Sequence, residues 1–220
     1  MPDRRGRGES PSKPRALRTP VPAPPARPPA ARPAAEEPVP RAAIDELLHE
    51  PVRGPVKVLF LDVDGTMTDG SIVFTADGGD ARRFFIRDGI ALKWARDLGV
   101  APVAISGRSS TAVDARMTDL GIEYHGGVED KVAVAARVLE RLDASWSQSV
   151  MVGDDLPDVA LLKKVGWPIA VADAVPEVRA VARTVTGHAA GRGAVREVVE
   201  MVLRHNGTWD RVLERYGARP

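Results

Sequence analysis

The sequence predicts an α/β fold, a doubly wound parallel sheet, and three observations carry that prediction. From Val56 onward, short apolar runs alternate with amphipathic stretches at strand–helix spacing. The first run, "VKVLFLD", has five apolar residues among the six from Val56 to Leu61, the texture of a strand covered on both faces. Polar residues then gather where successive strands should end: Asp62 and Asp64, Ser106-Gly107-Arg108, and Gly153-Asp154-Asp155. In open α/β sheets that edge is where ligands bind.

The elements follow in chain order. Residues 1–41 are dominated by Pro, Ala and Arg, and 14 of the chain's 19 prolines lie at or before Pro55. Proline fixes φ and removes backbone donors, so 1–41 is expected to be a disordered tail. Residues 42–55 form a linker with room for a short helix in "AAIDELLHE". The domain proper is expected over 56–205. A hairpin is expected over 71–86, turning at Asp77-Gly78-Gly79, then a helix over 89–99 that stops at a glycine. Strand 100–106 leads to helix 109–121, with a serine cap and a glycine stop. Short strand 122–126, helix 129–143, strand 147–155, helix 156–166, strand 167–173 and helix 175–182 follow. Two helices close the chain, the second in a C-terminal extension over 206–220. Right-handed crossovers would join these strands into one sheet.

Composition narrows the function classes. The formal net charge of the 220 residues is +1, so no global field favours nucleic acid or an anionic membrane. The basic excess is local: residues 1–41 hold nine Lys/Arg against four Asp/Glu. There is no cysteine, which excludes disulfides and thiolate metal sites. No apolar run approaches the roughly 20 residues of a membrane span, and the N-terminus lacks an apolar signal core. A cytoplasmic protein is expected, with no membrane or nucleic-acid partner. Neither G-x-x-x-x-G-K-[ST] nor G-x-G-x-x-G is present, so no P-loop or dinucleotide site is read.

Two carboxylates facing each other at the end of a buried strand repel, and something must compensate Asp62 and Asp64. Singly, each strand-end group has a plainer explanation: acids cap helices, "SGR" is a turn, and a lone Lys131 is solvated. Together, and in this order, they are hard to attribute to chance.

The order "DVDGT", "ISGR", "DK", "GDD" resembles the four signature motifs of the haloacid dehalogenase-like phosphohydrolases. The resemblance covers about 56–205. It implies a Rossmann-like core in which Asp62 is the nucleophile, forming an aspartyl-phosphate, and Asp64 is the general acid/base. It implies that Ser106 and Lys131 hold the transferring phosphoryl group. Asp62, Asp154 and the backbone carbonyl of Asp64 would ligate Mg²⁺, with Asp155 and Asp158 behind them. A response-regulator receiver shares these residue types but in another order, with its paired acids first and its phosphorylated aspartate on a later strand.

Between Asp62 and Ser106 a hairpin and one helix fill the chain, and between Ser106 and Lys131 one helix and one short strand. No room remains for a cap domain. With "FFIRDGIALKW" and "GRGAVREVVEMVL", the chain is similar to the capless 3-deoxy-D-manno-octulosonate 8-phosphate phosphatases. That resemblance implies a homotetramer assembled through the hairpin. Phe85, Ile86, Arg87, Asp88, Gly89 and Lys93 would border a substrate pocket shared between subunits, Asp64 and Lys131 would also touch substrate, and Arg108 and Arg116 would face a phosphorylated sugar acid. Arginine binds both carboxylate and phosphate in bidentate geometry. The chain departs from the pattern at Ala91, where the family often has glycine, and in its C-terminal extension. Two alternatives stay open: a phosphatase for a related nonulosonate or another small phosphosugar, and a non-catalytic binding module on the same fold.

Overall fold

The structure, a computed structural model, describes residues 52–76 and 78–218. The tail expected over 1–41 and the helix expected over 42–50 lie outside the described residues. Strand β1 (Val58–Leu61) is followed by a two-stranded hairpin, β2 (Val73–Phe74) and β3 (Asp80–Ala81), and helix α1 (Ile86–Asp97). Then come β4 (Ala101–Ile105), α2 (Thr111–Leu120), β5 (Glu123–His125), α3 (Lys131–Arg141) and β6 (Ser149–Gly153). Helix α4 (Val159–Leu162), β7 (Trp167–Ala170), α5 (Pro176–Val181), β8 (Thr184–Val185), α6 (Ala194–His205) and α7 (Trp209–Arg215) complete the chain.

Six strands form one parallel sheet in the order β5-β4-β1-β6-β7-β8. The chain winds from β1 through β4 to β5, then returns past β1 to β6 and continues outward. That reversal makes the edge of β1 a topological switch point. Every residue of β1 is buried, as the continuous apolar run requires of a strand covered on both faces. Its register aligns Leu61 with Ala104 of β4 and with Val152 of β6, so the three strands end together. Helix α1 packs against α2 and α6, while α3, α4 and α5 pack in series in the second layer. Among the described residues no cap domain intervenes.

Four elements differ from expectation. The hairpin is shorter than 71–86, with two residues in each strand and one further bridge between Thr68 and Phe84. Helix α1 takes over at Ile86, earlier than 89, because Asp88 in its first turn suits a helix N-terminus better than a strand. The helix expected over 156–166 is a 3₁₀ turn, Leu156–Asp158, followed by the single turn of α4, because Val165 must already be buried before β7 begins. The edge strand β8 was missed, since two residues carry no periodicity. The C-terminal extension docks on the domain before it: Trp209 and Val212 are buried, Trp94 Nε1 donates to the Tyr216 hydroxyl at 3.1 Å, and the Arg196 guanidinium lies 4.2 Å over the Trp94 ring.

Candidate active site

The shared ends of β4, β1 and β6 bring the expected motifs together. Asp62 follows β1 directly, Ser106 follows β4, Asp154 follows β6, and Lys131 opens α3. A cavity of about 160 Å³ is lined by Asp62, Asp64, Ser106, Arg108, Lys131 and Asp154, together with Gly107, Asp155, Pro157 and Asp158. Its size suits a phosphate group rather than a whole sugar.

Lys131 is the electrostatic hub. Its Nζ donates to Asp62 Oδ1 at 2.6 Å and to Asp158 Oδ1 at 2.7 Å, and all three residues are buried. Burial alone would lower the lysine's pKa, but Asp62 and Asp158 outweigh it and hold the ammonium above its ordinary value. Burial, and then the Asp158 charge, push Asp62 well above the usual carboxylate range. The same two causes push Asp154 up to about 6. Asp158 also accepts from the Asp154 backbone N–H at 3.1 Å, and Thr66 Oγ1 donates to Asp154 Oδ1 at 3.1 Å.

Asp62, Asp154 and Asp158 each offer a carboxylate oxygen within 4.8 Å of the others. When all are ionised, three carboxylates face one ammonium. An oxygen-only donor set with uncompensated negative charge fits a hard divalent cation. Asp158, expected behind the ligands, stands within this triangle. Asp155, also at the cavity wall, caps its own loop, accepting from Leu156 N at 2.7 Å.

Gly65 holds this corner open. Its φ is +97°, and a Cβ there would overlap the Asp154 carboxylate. Gly65→Ala is expected to push Asp154 out of the triangle and weaken Mg²⁺ binding about tenfold or more, read by calorimetric titration.

Ser106 Oγ accepts the Arg108 backbone N–H at 3.1 Å, which leaves its own hydrogen free for a ligand. Arg108 lies exposed at the rim. The remaining residues expected at the substrate do not reach this cavity within the chain. Phe85 and Arg87 line a separate cavity of about 410 Å³ with Arg192, Gly193 and Arg196. Ile86 is exposed on the surface, and Lys93 is half-buried on α1. Arg116 packs in its own subunit, near the Phe84 ring and against Gly89, where a side chain would collide with its guanidinium. Ala91 is fully buried and lines neither cavity.

Asp88 is buried too. Its Oδ1 accepts from Arg196 N at 2.8 Å, capping α6, while its Oδ2 has no partner among the described residues. Burial pushes its carboxyl up to about 6 from an ordinary 3.8. A raised folded-state pKa means that stability is full at low pH and declines as pH rises from about 4 to about 6–7. Asp88→Asn is expected to flatten that decline and to stabilise the protein at pH 8 by up to about 3 kcal/mol, seen in thermal midpoints across pH.

Sequence reasoning missed one group at this site. Arg82, just after β3, donates through Nε to Asp64 Oδ1 at 2.5 Å. Its Nη1 donates to Asp80 Oδ2 at 2.6 Å and to the Ser110 hydroxyl at 2.7 Å. Asp80 and Arg82 stand two apart, the spacing that puts strand residues on one face, and that was the available signal.

A family model described as haloacid dehalogenase-like hydrolase matches residues 124–198. The 3-deoxy-D-manno-octulosonate 8-phosphate phosphatase of Escherichia coli (strain K12) is 37% identical over 156 residues, covering 70% of this chain and 83% of that protein. The enzyme of the same name from Yersinia pestis is 35% identical over 149 residues, covering 67% and 80%. Among solved structures, that phosphatase from Moraxella catarrhalis, in complex with magnesium, phosphate and the sugar acid, superposes with a TM-score of 0.71 at 33% identity. It covers 73% of this chain and 93% of that one.

Proposed function

Because the chain belongs to the haloacid dehalogenase-like hydrolases, in the family of 3-deoxy-D-manno-octulosonate 8-phosphate phosphatases, we propose that it hydrolyses that sugar phosphate to the free sugar acid and inorganic phosphate. It is a phosphoric monoester hydrolase. The observation that carries the reading is the convergence of Asp62, Asp154 and Lys131 at the ends of neighbouring strands, beside a cavity the size of a phosphate.

In this mechanism a carboxylate oxygen of Asp62 attacks phosphorus while the bond to the sugar oxygen breaks. Asp64 donates a proton to the leaving oxygen, then takes one from the water that attacks the aspartyl-phosphate. The second attack breaks the bond between phosphorus and Asp62, releasing phosphate. Lys131, already 2.6 Å from Asp62, and the free hydroxyl hydrogen of Ser106 hold the phosphoryl oxygens in line. Asp62, Asp154 and the Asp64 carbonyl would hold Mg²⁺, which when bound neutralises charge on the phosphoryl group. Arg108 at the rim would meet the sugar's carboxylate.

A cavity this small leaves the sugar uncovered, and a capless site open to water needs another lid. The hairpin exposes Val73 and Phe74, 61% and 73% accessible. These support assembly into a homotetramer in which Phe85, Ile86, Arg87, Asp88, Gly89 and Lys93 border a neighbour's site. A cytoplasmic location fits this chemistry, and no helix among the described residues is long and apolar enough to cross a membrane.

The test is phosphate release from a panel of sugar phosphates, with Mg²⁺ and with EDTA, on protein whose mass is measured by light scattering. Preference for the eight-carbon sugar acid phosphate, lost in EDTA, is expected. Preference for a nine-carbon acid phosphate or a neutral sugar phosphate would overturn the substrate, and no turnover by folded protein would overturn the phosphatase.

A further inference from the structure

We propose that Arg82 is a positioning residue for Asp64, and that through it the hairpin is part of the catalytic machinery rather than only a surface of the subunit. The inference rests on the phosphatase reading above and adds a residue to it.

The geometry is that of a clamp. The guanidinium bonds Asp64 on two sides, Nε to Oδ1 at 2.5 Å and a terminal nitrogen to Oδ2 at 3.4 Å. A forked grip fixes the plane of a carboxylate as well as its distance, which a single donor cannot do. The clamp is itself held. Its opposite nitrogen donates to Asp80 Oδ2 and to Ser110 Oγ, and Ser110 Oγ donates to Asp80 Oδ1 at 2.9 Å. Ser110 is also the cap of α2, the helix that follows Ser106 and Arg108. The Arg82 side chain is enclosed, so little of it is free to wander.

Without Arg82, nothing else among the hydrogen bonds of the described residues holds the Asp64 side chain. Asp64 stands in the segment Val63–Met67, whose φ/ψ values are non-helical at Asp64 and Gly65, so the local backbone does not supply a regular helical frame for the carboxylate. Orientation must come from a neighbour, and the neighbour is on the hairpin. An acid/base group misplaced by about 1 Å can cost on the order of a hundredfold in rate. A hairpin of two-residue strands is by itself marginal, so the Asp80–Arg82–Ser110 cluster ties hairpin and site into one unit.

The experiment compares kcat and KM for wild type, Arg82→Ala, Arg82→Lys and Arg83→Ala on the preferred sugar phosphate and on p-nitrophenyl phosphate. Arg83 pairs with Asp69 on the exposed side and serves as the control. Arg82→Ala is expected to lose roughly tenfold to a hundredfold in kcat with KM nearly unchanged, and added guanidinium ion should restore part of that kcat. Arg82→Lys keeps the charge but not the fork and should fall between. If Arg82→Ala does not fold, the Lys variant alone decides. An unchanged kcat, a loss confined to KM, or a kcat that guanidinium leaves unmoved would each overturn the positioning role while the phosphatase stands. An inactive wild type would remove the phosphatase and this role with it.

Discussion

With Asp62 as the proposed nucleophile, Asp62→Asn should leave the protein folded and lower kcat by about 10⁴-fold or more, because an amide oxygen is a far poorer nucleophile toward phosphorus than a carboxylate. Its stability should move little, and upward. Burial and Asp158 already press Asp62 to hold a proton, so its ionised form costs folding free energy at neutral pH. The raised pKa means this cost is absent at low pH and grows as pH rises. Asparagine removes the charge and keeps the shape. At pH 8 and without divalent cation, the variant's thermal midpoint is expected to equal or exceed that of wild type. Adding Mg²⁺ should raise the wild-type midpoint more, since wild type presents one more anion to the cation. Calorimetric scans with and without Mg²⁺ make the comparison. Residual turnover above about 1% of wild type in a folded variant would remove Asp62 from the chemistry.

Lys131→Met should be the most damaging single change to stability. It strips the ammonium from two buried carboxylates that sit 2.6 and 2.7 Å from it. Breaking a buried pair by removing one partner costs about 3–5 kcal/mol, chiefly because the other charge is left uncompensated. The loss should grow as pH rises and shrink as it falls, because Asp62, its pKa raised by burial and by the Asp158 charge, takes up a proton more readily than an ordinary carboxylate. The lysine itself adds no slope near neutral pH. Its pKa is raised above an ordinary 10.5, so its contribution is intact below that value. Activity should fall as well, by about 10²–10³-fold, the scale for losing one preorganised donor to a developing anion. A double variant, Lys131→Met with Asp158→Asn, should recover stability but not turnover. Denaturant titrations and kcat measurements on wild type and the two variants separate the two effects. Recovery of turnover in the double variant would mean that Lys131 is structural only.

Much of this site was legible because its groups sit where the chain's texture changes. Asp62, Ser106 and Asp154 each follow an apolar run that forms a buried strand, so their place at one edge follows from parallel winding. Lys131 was legible as the first residue of an amphipathic helix. Asp158, expected behind the metal ligands, comes within 4.8 Å of Asp62 and Asp154 because it ends a 3₁₀ turn capped by Asp155 rather than lying in the expected regular helix. Arg82 was missed for a different reason: its partner Asp64 lies 18 positions earlier, and the Asp80/Arg82 spacing marks a shared strand face but not that partner. The start of α1 was misread because Phe84, Phe85 and Ile86 favour strands by type, while packing of α1 on α6 favours helix.

The placing of β1 between β4 and β6 also bears on how the chain folds. The strand that carries Asp62 cannot find its second partner until Ser149–Gly153 has been made, and Lys131 lies 69 positions from Asp62. Contacts so distant in sequence carry a large loop-closure entropy before they stabilise anything, so the active centre is expected to assemble late and slowly. During synthesis the β1 segment must wait, apolar on both faces, until most of the domain has left the ribosome. Helices α1 and α2 can form around β4 in that interval and shield it. Mg²⁺ held by the proposed ligands Asp62 and Asp154 would draw on both ends of this long stretch and act as a late fastener: it should slow unfolding far more than it speeds refolding.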